Sequence, residues 1–441
     1  MTPPFDGNVQ RRGALHPHQV AELAFLLRTS RALLLSEPGC GKTATLLAYA
    51  QSVLGDGGIV VWATKKGLVR QLQAEAEVWL PASMQPMPVK DDVPGSRFVL
   101  ATHGEIYRRI GSLDWLVPDL LIVDEAAAVG CGGINPAAPT YAAHRLLSRR
   151  SGRSVLATAT PVGSQHAMDL LALLEVGCIP GTPSRDSIYR HLHRAQIPAA
   201  YGRTREFISG ITDRGLALMT APLTLHAIRT TASEIHQSLP VMVRTTVDVP
   251  LSPGDMLLYE AALSKEGLPG HQGQQSVSRS SSALVEATVL LLTDGIGGTG
   301  HEKIVVFSDF FDLVNPLVDG LEAAGESVIR IDGSMPAKQR NDAVHRHMST
   351  GRHILVGTSA LEEGLNLQHS SLLVTVVASW SKARELQREG RLLRLGSLHP
   401  RVHHVTVRPD VPLEIRKEAR LEVKQAIADE VLRAVPSALR T

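Results

Sequence analysis

The chain has 441 residues, of which 44% are apolar, 20% are charged and only 4% are aromatic. At roughly 150 residues per domain, this length argues against a single domain and predicts two or three. The 45 Lys and Arg residues nearly balance the 43 Asp and Glu residues, giving a net charge of +2. Nucleic-acid binders are usually more basic than this, so any such surface must be a local stripe.

Cysteine spacing and the length of apolar runs indicate the cellular compartment of the protein. Cys40, Cys131 and Cys178 share no metal-ligand spacing and cannot form a dense disulfide framework. No run approaches the ~18 apolar residues that a spanning helix needs, and the N-terminal segment does not resemble a signal peptide. We therefore expect a cytoplasmic protein without a membrane partner.

Short aliphatic runs alternate with helical stretches, which is typical of parallel α/β sheets. Each of two series contains five strand candidates, enough for one doubly wound sheet. The fold class predicted is therefore α/β, with two doubly wound parallel-sheet lobes in tandem. The first series comprises residues 32–35, 59–63, 98–101, 120–123 and 154–157, and the second comprises 303–307, 327–331, 353–356, 372–377 and 402–407.

Three further stretches complete the predicted organisation. Residues 180–239 are polar and indicate helices without a strand rhythm. Residues 264–282 are rich in Gly, Gln and Ser and predict a mobile loop or linker. Residues 412–435 have a helical period, which predicts a C-terminal packing helix. The predicted domains are a first lobe (1–178), a helical insertion (179–238) and a second lobe (239–441).

The clearest motif is SEPGCGKT at residues 36–43, which follows an aliphatic strand and precedes a helical run. This is a P-loop in its strand–loop–helix context, although Ser36 replaces the first glycine. Gly39 and Gly41 let the backbone N–H groups face phosphate, Lys42 supplies a charge to the β- and γ-phosphates, and Thr43 offers a hydroxyl to Mg²⁺. The residues predicted to bind the nucleotide here are Glu37, Pro38, Gly39, Cys40, Gly41, Lys42, Thr43 and Ala44.

Two acids, Asp124 and Glu125, follow the aliphatic run LLIV. Alone, this pattern equally fits a strand followed by two surface acids. Downstream of a P-loop, it predicts that Asp124 holds Mg²⁺ and that Glu125 polarises the attacking water.

Phosphoryl transfer also needs cations from outside the P-loop, and an arginine finger is worth about 10³–10⁵ in rate. The segment QREGRLLRLG places Arg391 and Arg394 three residues apart on one helical face. A surface helix with two arginines is common. Together with the other motifs, we interpret this pair as arginine fingers.

With these motifs in order, nearly the whole chain resembles superfamily 2 helicases, and among them the Swi/Snf-type double-stranded DNA translocases. LHPHQ resembles the opening segment of the family, which implies that Gln19 recognises adenine. ATATPVGS resembles the third helicase motif, which implies that Thr158 and Thr160 couple hydrolysis to movement.

Strings in the second half carry the narrower resemblance. They include LPVMVRTTVDVPLSPGDMLLYEAAL, RIDGSMPAKQR and GTSALEEGLNLQ. The last string and the arginine motif imply that Gly364 and Gln387 bind ATP. Two departures stand out: Ser397 replaces a frequent glutamine, and Ala126 and Ala127 follow the acids where many helicases carry a polar group. The residues that match the family in this half are Tyr259, Asp332, Gly333, Arg340, Thr358, Gly364, Asn366, Leu367 and Trp380.

The resemblance implies that the two lobes are RecA-like and that ATP with Mg²⁺ lies between them. The lobes would close on binding and reopen after hydrolysis. Polar residues at strand ends would contact the phosphates of DNA without reading its bases, and salt would weaken that binding. Duplex DNA is favoured over single-stranded DNA. We expect a compact monomer in a bacterial or phage-infected cytoplasm, with phage replication or recombination as one hypothesis. The predicted DNA contacts are Lys65, Lys66, Thr102, Thr358, Asn366 and Ser379.

Two alternatives stay open. One is a strand-separating helicase on DNA or RNA, because no sequence pattern reveals a separating wedge. The other is an ATP-gated nucleic-acid-binding module with weak turnover, which the Ala126 and Ala127 departure favours. A P-loop kinase or GTPase is disfavoured by the second lobe and by the lack of an NKxD string.

Overall fold

The computed structural model describes residues 14–89, 97–111, 117–130, 138–162, 167–198, 204–235, 240–265, 267–296, 300–349, 351–358, 361, 367–379, 381–393 and 397–439. The chain divides into two compact units. The first comprises Met1–Arg194, Ile208–Ile235 and Lys424–Thr441, and the second comprises Ala195–Phe207 and His236–Val423.

The strands of the first half of the chain include all five predicted there. Parallel strands that are buried on both faces consist of continuous aliphatic runs, and such runs in the sequence were enough to predict them. The strands are β1 (Arg31–Leu34), β2 (Val60–Thr64), β3 (Met87–Pro88), β4 (Phe98–Thr102), β5 (Leu120–Asp124), β6 (Arg153–Ala157), β7 (Leu192–Pro198), β8 (Thr204–Ile211) and β9 (Ala227–Ile228).

Among the described residues, seven of these strands form one parallel sheet in the order β3-β4-β2-β5-β6-β1-β9. Alternate side chains enter two apolar layers: Leu33 packs in one and Leu34 in the other. The helices that cover this sheet or connect its strands are α1 (Pro17–Arg28), α2 (Lys42–Gly55), α3 (Val69–Trp79), α4 (His103–Arg109), α5 (Ala127–Gly130), α6 (Pro139–Arg150), α7 (Ala167–Val176), α8 (Arg185–Tyr189), α9 (Asp213–Thr220) and α10 (Leu223–His226).

The expectation of a purely helical insertion over 179–238 is wrong. This stretch contains β7 and β8, which pair as a two-stranded sheet, and β9, which joins the edge of the large sheet beside β1. The two residues of β9 are too short a run to be recognised by alternation. These two residues adopt the strand conformation because they pair with β1 at the edge of the sheet.

The second unit is built on another parallel sheet, and all five strands predicted for it are present. Among the described residues its order is β10-β15-β14-β11-β13-β12. The two sheets confirm the α/β class with tandem RecA-like lobes. The elements are β10 (Val241–Val249), α11 (Pro253–Leu263), α12 (Gly267–Ser280), α13 (Ser282–Thr293), β11 (Lys303–Ser308), α14 (Phe311–Ala323), β12 (Val328–Ile331), α15 (Ala337–Met348), β13 (His353–Gly357), β14 (Leu372–Val376), α16 (Lys382–Leu392) and β15 (Arg401–Pro409).

The linker predicted over 264–282 is also wrong, because most of it forms α12. Gln274 and Ser278 are buried, and the Tyr259 hydroxyl donates to Gln274 Oε1 at 3.3 Å. A Cβ on Gly273 would lie 2.8 Å from Ala262 Cβ, so the glycine permits close packing of α12 on α11. Tertiary packing here overrides a weak helix propensity.

The C-terminal helix α17 (Pro412–Arg433) forms where it was predicted. After it, Arg229 and Ser437 pair as a parallel bridge within the first unit. Among the described residues, no helix is long and apolar enough to span a membrane.

Candidate functional site

The P-loop of the first unit connects β1 to α2. Gly39 and Gly41 have φ values of 84° and 76°, a left-handed conformation that other residues rarely adopt. The Lys42 ammonium donates to the carbonyl oxygens of Ser36 (2.7 Å) and Glu37 (3.1 Å). Thr43 and Ala44 lie in the first turn of α2, where backbone N–H groups favour an anion. The loop therefore encloses the Lys42 ammonium, the group predicted to contact the phosphates.

A buried carboxylate anchors this loop, and the sequence analysis missed it. Glu22 of α1 is fully buried and accepts hydrogen bonds from three hydroxyls: Ser36 (2.5 Å), Thr45 (2.9 Å) and Thr230 (2.7 Å). The departure at Ser36 is thereby explained, because its side chain bonds Glu22. An acid within the otherwise apolar run 20–27, three residues after Gln19, is the signal that could have found it.

Gln19 lies against the P-loop rather than apart from it. Its Nε2 donates to Gly41 O at 3.2 Å, while its Oε1 accepts from His16 N at 2.9 Å. The neighbouring His18 contacts Cys40 O at 2.9 Å. The start of α1 is therefore fixed on the nucleotide loop, at the place predicted for adenine recognition.

Cys40 faces inward although it belongs to the loop. Its side chain is fully buried, and its thiol donates to Thr230 O at 3.6 Å. Burial raises the pKa of the Cys40 thiol to about 12. Cys40 therefore contributes its backbone to the loop and stays a neutral, packed thiol.

Asp124 ends β5, and Glu125 follows it with a φ of 51°. Asp124 accepts from Thr64 Oγ1 (3.3 Å) and from Glu125 N (3.0 Å). Burial, and next the negative charge of Glu125, raise the pKa of Asp124 to about 6. Two negative charges held this close attract a cation, which could in turn bind an anionic ligand. Such a pair is suited to one acid that binds Mg²⁺ and a second that activates water.

Thr158 follows β6, which lies between β1 and β5 in the sheet. Its N–H donates to Leu34 O at 3.0 Å, and its Oγ1 accepts from Thr160 N at 3.1 Å. On the other side, Ala126 N donates to Ala157 O at 2.9 Å. Backbone hydrogen bonds thus join the acids and the P-loop strand to the Thr158 segment, where the sequence lacked a side-chain link.

The predicted DNA contacts in the first unit lie in different environments. Lys65 lies 3.9 Å from Glu125 Oε2, so it is part of the acid cluster. Lys66 is exposed. Thr102 is the N-cap of α4, where its hydroxyl accepts from Glu105 N at 3.2 Å. Of these three residues, Lys66 is the one that solvent reaches most freely.

In the second unit, α16 carries Gln387 and Arg391. Its buried side anchors the helix: Arg388 is fully buried and pairs with Asp309. Glu389 is paired with Arg244 (2.6 Å) and His404 (2.8 Å). Although burial alone would raise it, these partners lower the pKa of Glu389 to about 2.

Two more predicted residues of this unit, Thr358 and Ser379, follow strands. Thr358 follows β13, and its carbonyl accepts from Leu361 N at 2.9 Å. Ser379 is buried and accepts from Ser381 N at 3.2 Å at the start of α16. Four predicted residues lie outside the described part of the chain: Gly364, Asn366, Trp380 and Arg394.

Residues 287–396 match the family model described as the helicase conserved C-terminal domain. The DNA repair and recombination protein RDH54 of Saccharomyces cerevisiae is 32% identical over 34% of this chain and 16% of its own length. The DNA repair and recombination protein RAD54B of Gallus gallus is 22% identical over 87% of this chain and 50% of its own length. The chain thus spans half the length, or less, of these curated relatives.

A solved structure, the Sulfolobus solfataricus SWI2/SNF2 ATPase core in complex with dsDNA, aligns with 96% of this chain and 97% of that chain. The TM-score is 0.45 and the identity 16%.

The raised pKa of Asp124 predicts a gain of stability when its charge is removed. At pH 8 the folded chain carries a disfavoured carboxylate, so Asp124→Asn should raise the thermal midpoint by a few degrees. The gain should shrink as pH falls from about 6 towards 3.8, because the native carboxyl then takes up a proton in the folded state first. Thermal unfolding followed by circular dichroism measures this.

The control is Asp56→Asn, which changes an exposed acid and should leave the midpoint unchanged at every pH. An Asp124→Asn midpoint at or below that of the native chain at pH 8 would contradict the prediction.

Proposed function

We propose that this chain is an ATPase motor of the Swi/Snf-type superfamily 2 helicases, and that it moves along duplex DNA without reading its sequence. The observation that carries the proposal is the order of three loops at the carboxyl edge of one parallel sheet. The P-loop, the Thr158 segment and the Asp124–Glu125 pair follow the neighbouring strands β1, β6 and β5. Ligands of open α/β sheets bind at this edge.

ATP and Mg²⁺ fit the donor groups of the first unit. The Thr43 hydroxyl and the Asp124 carboxylate are oxygen ligands of the kind that Mg²⁺ prefers, and Lys42 supplies a positive charge to the phosphates. When bound, Mg²⁺ would offset negative charge on the phosphates. The backbone of residues 37–44 would cradle them, and Gln19 would read the adenine.

We assign Glu125 as the base that orients the attacking water. Its carboxylate lies 3.9 Å from the Lys65 ammonium and directly follows Asp124, so it stands beside the proposed Mg²⁺ ligand. Thr158 and Thr160 would couple ATP hydrolysis to movement of the chain. The backbone bonds from Thr158 N to Leu34 O and from Ala126 N to Ala157 O support this role.

In the second unit, Arg391 and Arg394 would act on the transferred phosphoryl group, with Gly364 and Gln387 completing the nucleotide contacts. The buried pairs Arg388–Asp309 and Glu389–His404 support this assignment for Arg391. They fix α16, and a cation that acts in a transition state works best when it is preorganised.

Duplex DNA is the proposed track, since this chain is similar to two DNA repair and recombination proteins. Lys66 is exposed and suited to a phosphate contact, and we extend the proposal to Lys65, Thr102, Thr358, Asn366 and Ser379. Contacts of this kind position a protein on DNA without specifying bases. We further propose that the chain acts as a monomer in the cytoplasm.

The direct test is steady-state ATP hydrolysis measured without nucleic acid and with single-stranded DNA, duplex DNA or RNA. We expect the largest stimulation by duplex DNA, independent of its sequence and falling steeply as salt rises. Displacement of a triplex strand without unwinding of a tailed duplex would support translocation. Unwinding of the tailed duplex would favour the strand-separating alternative, and an equal rate under all four conditions would contradict the motor.

Arg391→Ala should keep duplex binding and lose about 10³-fold or more of the DNA-stimulated rate, because a finger cation acts on the transition state. The matched control is Arg384→Ala on the same helix, which removes a half-exposed partner of Asp309 and should change the rate little. Turnover of Arg391→Ala at the wild-type rate would overturn the finger assignment.

A further inference from the structure

A short segment of the first unit holds the P-loop from outside it. We call residues 229–232 the clamp. The clamp follows β9, which pairs in parallel with β1. Because the P-loop follows β1, the clamp and the P-loop leave the sheet side by side. No part of the P-loop motif requires such a neighbour.

The clamp fixes Glu37 at three points. Arg229 Nη2 donates to Glu37 Oε1 at 2.6 Å, and Ala232 N donates to Glu37 Oε2 at 2.8 Å. The backbone N–H of Glu37 donates to Thr230 O at 2.9 Å. Side chain and backbone of this loop residue are therefore both tied to the clamp.

The clamp also fixes Ser36. Thr230 N donates to Ser36 Oγ at 3.0 Å, and Thr230 Oγ1 shares the buried Glu22 carboxylate with that hydroxyl. The two carbonyls that receive the Lys42 ammonium are those of Ser36 and Glu37. Whatever fixes these two residues consequently fixes the position of Lys42.

Charge gives the clamp a second effect. Glu37 places a partly exposed carboxylate in a loop that must accept a polyanion, and Arg229 is paired with it. The Arg229 guanidinium forms a salt bridge with Glu37 through Nη2. Its Nε has no hydrogen-bond partner among the described residues. Without Arg229, the Glu37 carboxylate would be an unneutralised negative charge on the loop that accepts the phosphates.

The C-terminal segment in turn holds Arg229. Arg229 N donates to Pro436 O at 3.0 Å, and Ala438 N donates to Arg229 O at 2.8 Å. Ser437 donates to Glu234, whose carboxylate also accepts from Thr231 N at 2.8 Å. A continuous set of hydrogen bonds therefore runs from residues 436–438 through the clamp to the P-loop.

We propose that Arg229 is a positioning residue for nucleotide binding: it neutralises Glu37 and, braced by residues 436–438, holds the P-loop in its binding conformation. The inference rests on the proposed function only in that the P-loop binds ATP. Because partly exposed ion pairs contribute little to stability, its effect should appear in nucleotide affinity rather than in thermal stability.

The test measures the dissociation constant of mant-ATP with Mg²⁺ by fluorescence for a set of full-length variants. Arg229→Gln should weaken binding about tenfold, since a charge-assisted hydrogen bond is lost beside a polyanion site. Adding Glu37→Gln should recover most of the loss, because the unpaired carboxylate is then gone. Arg229→Lys should retain part of the affinity, and the kcat at saturating ATP should change less than the KM.

Arg185→Gln is the matched control, because Arg185 also pairs with one glutamate, Glu175, and its side chain is 16% exposed against 18% for Arg229. It should leave nucleotide affinity unchanged. An equal loss in Arg185→Gln, or losses in Arg229→Gln and Glu37→Gln that simply add, would overturn the positioning role.

Hydrogen exchange over residues 36–43 gives a readout that needs no nucleotide. Arg229→Gln and Ala438→Pro, which removes the N–H donor to Arg229 O, should both speed exchange in this peptide, whereas Arg185→Gln should not. Unchanged exchange in both would overturn the proposal. If the native chain binds mant-ATP but DNA does not stimulate hydrolysis, the motor fails while the clamp stands; if it binds no nucleotide, the proposed function fails and the exchange data still decide the clamp.

Discussion

The strand order β5-β6-β1 in the first sheet is the constraint on which the proposed site depends. Because the strands are parallel, the segments that leave their carboxyl ends meet at one edge, and β6 puts Thr158 between the P-loop and the acids. Backbone hydrogen bonds on both sides of the carboxyl end of β6 then fix the three segments relative to one another. Residues distant in sequence thereby share one neighbourhood.

Glu22 shows how the loop itself stays in register with that edge. A buried carboxylate is tolerated only when its oxygens are well bonded, and here hydroxyls from the P-loop, from α2 and from residue 230 supply the bonds. The same contacts account for Ser36 at a position where glycine is usual. Three segments of the chain must assemble around Glu22 before Lys42 is correctly placed, so the site is a product of the folded unit rather than of the motif alone.

Motif spacing and aliphatic runs were enough to predict the two parallel sheets, the P-loop and the acids, because buried parallel strands and phosphate loops have strict local requirements. Three features were out of reach. The pairing of β9 depends on an edge that β1 provides, α12 is stabilised by packing at Gly273 despite its linker-like composition, and the partners of Glu22 come from three distant segments. Each is a tertiary effect with little local signature. The Ala126 side chain provides no polar link to the neighbouring strand, but its backbone N–H donates to Ala157 O.

The most direct measurement is equilibrium binding of Mg-ATP, by isothermal titration calorimetry, to the native chain, Lys42→Ala and Glu125→Gln, with turnover measured on the same samples. If the loop between β1 and α2 holds the phosphates and the β5 acids act on them, Lys42→Ala binds no measurable nucleotide. Glu125→Gln then binds it as the native chain does, yet does not hydrolyse it. Native-like affinity in Lys42→Ala, or native-like turnover in Glu125→Gln, would contradict that assignment.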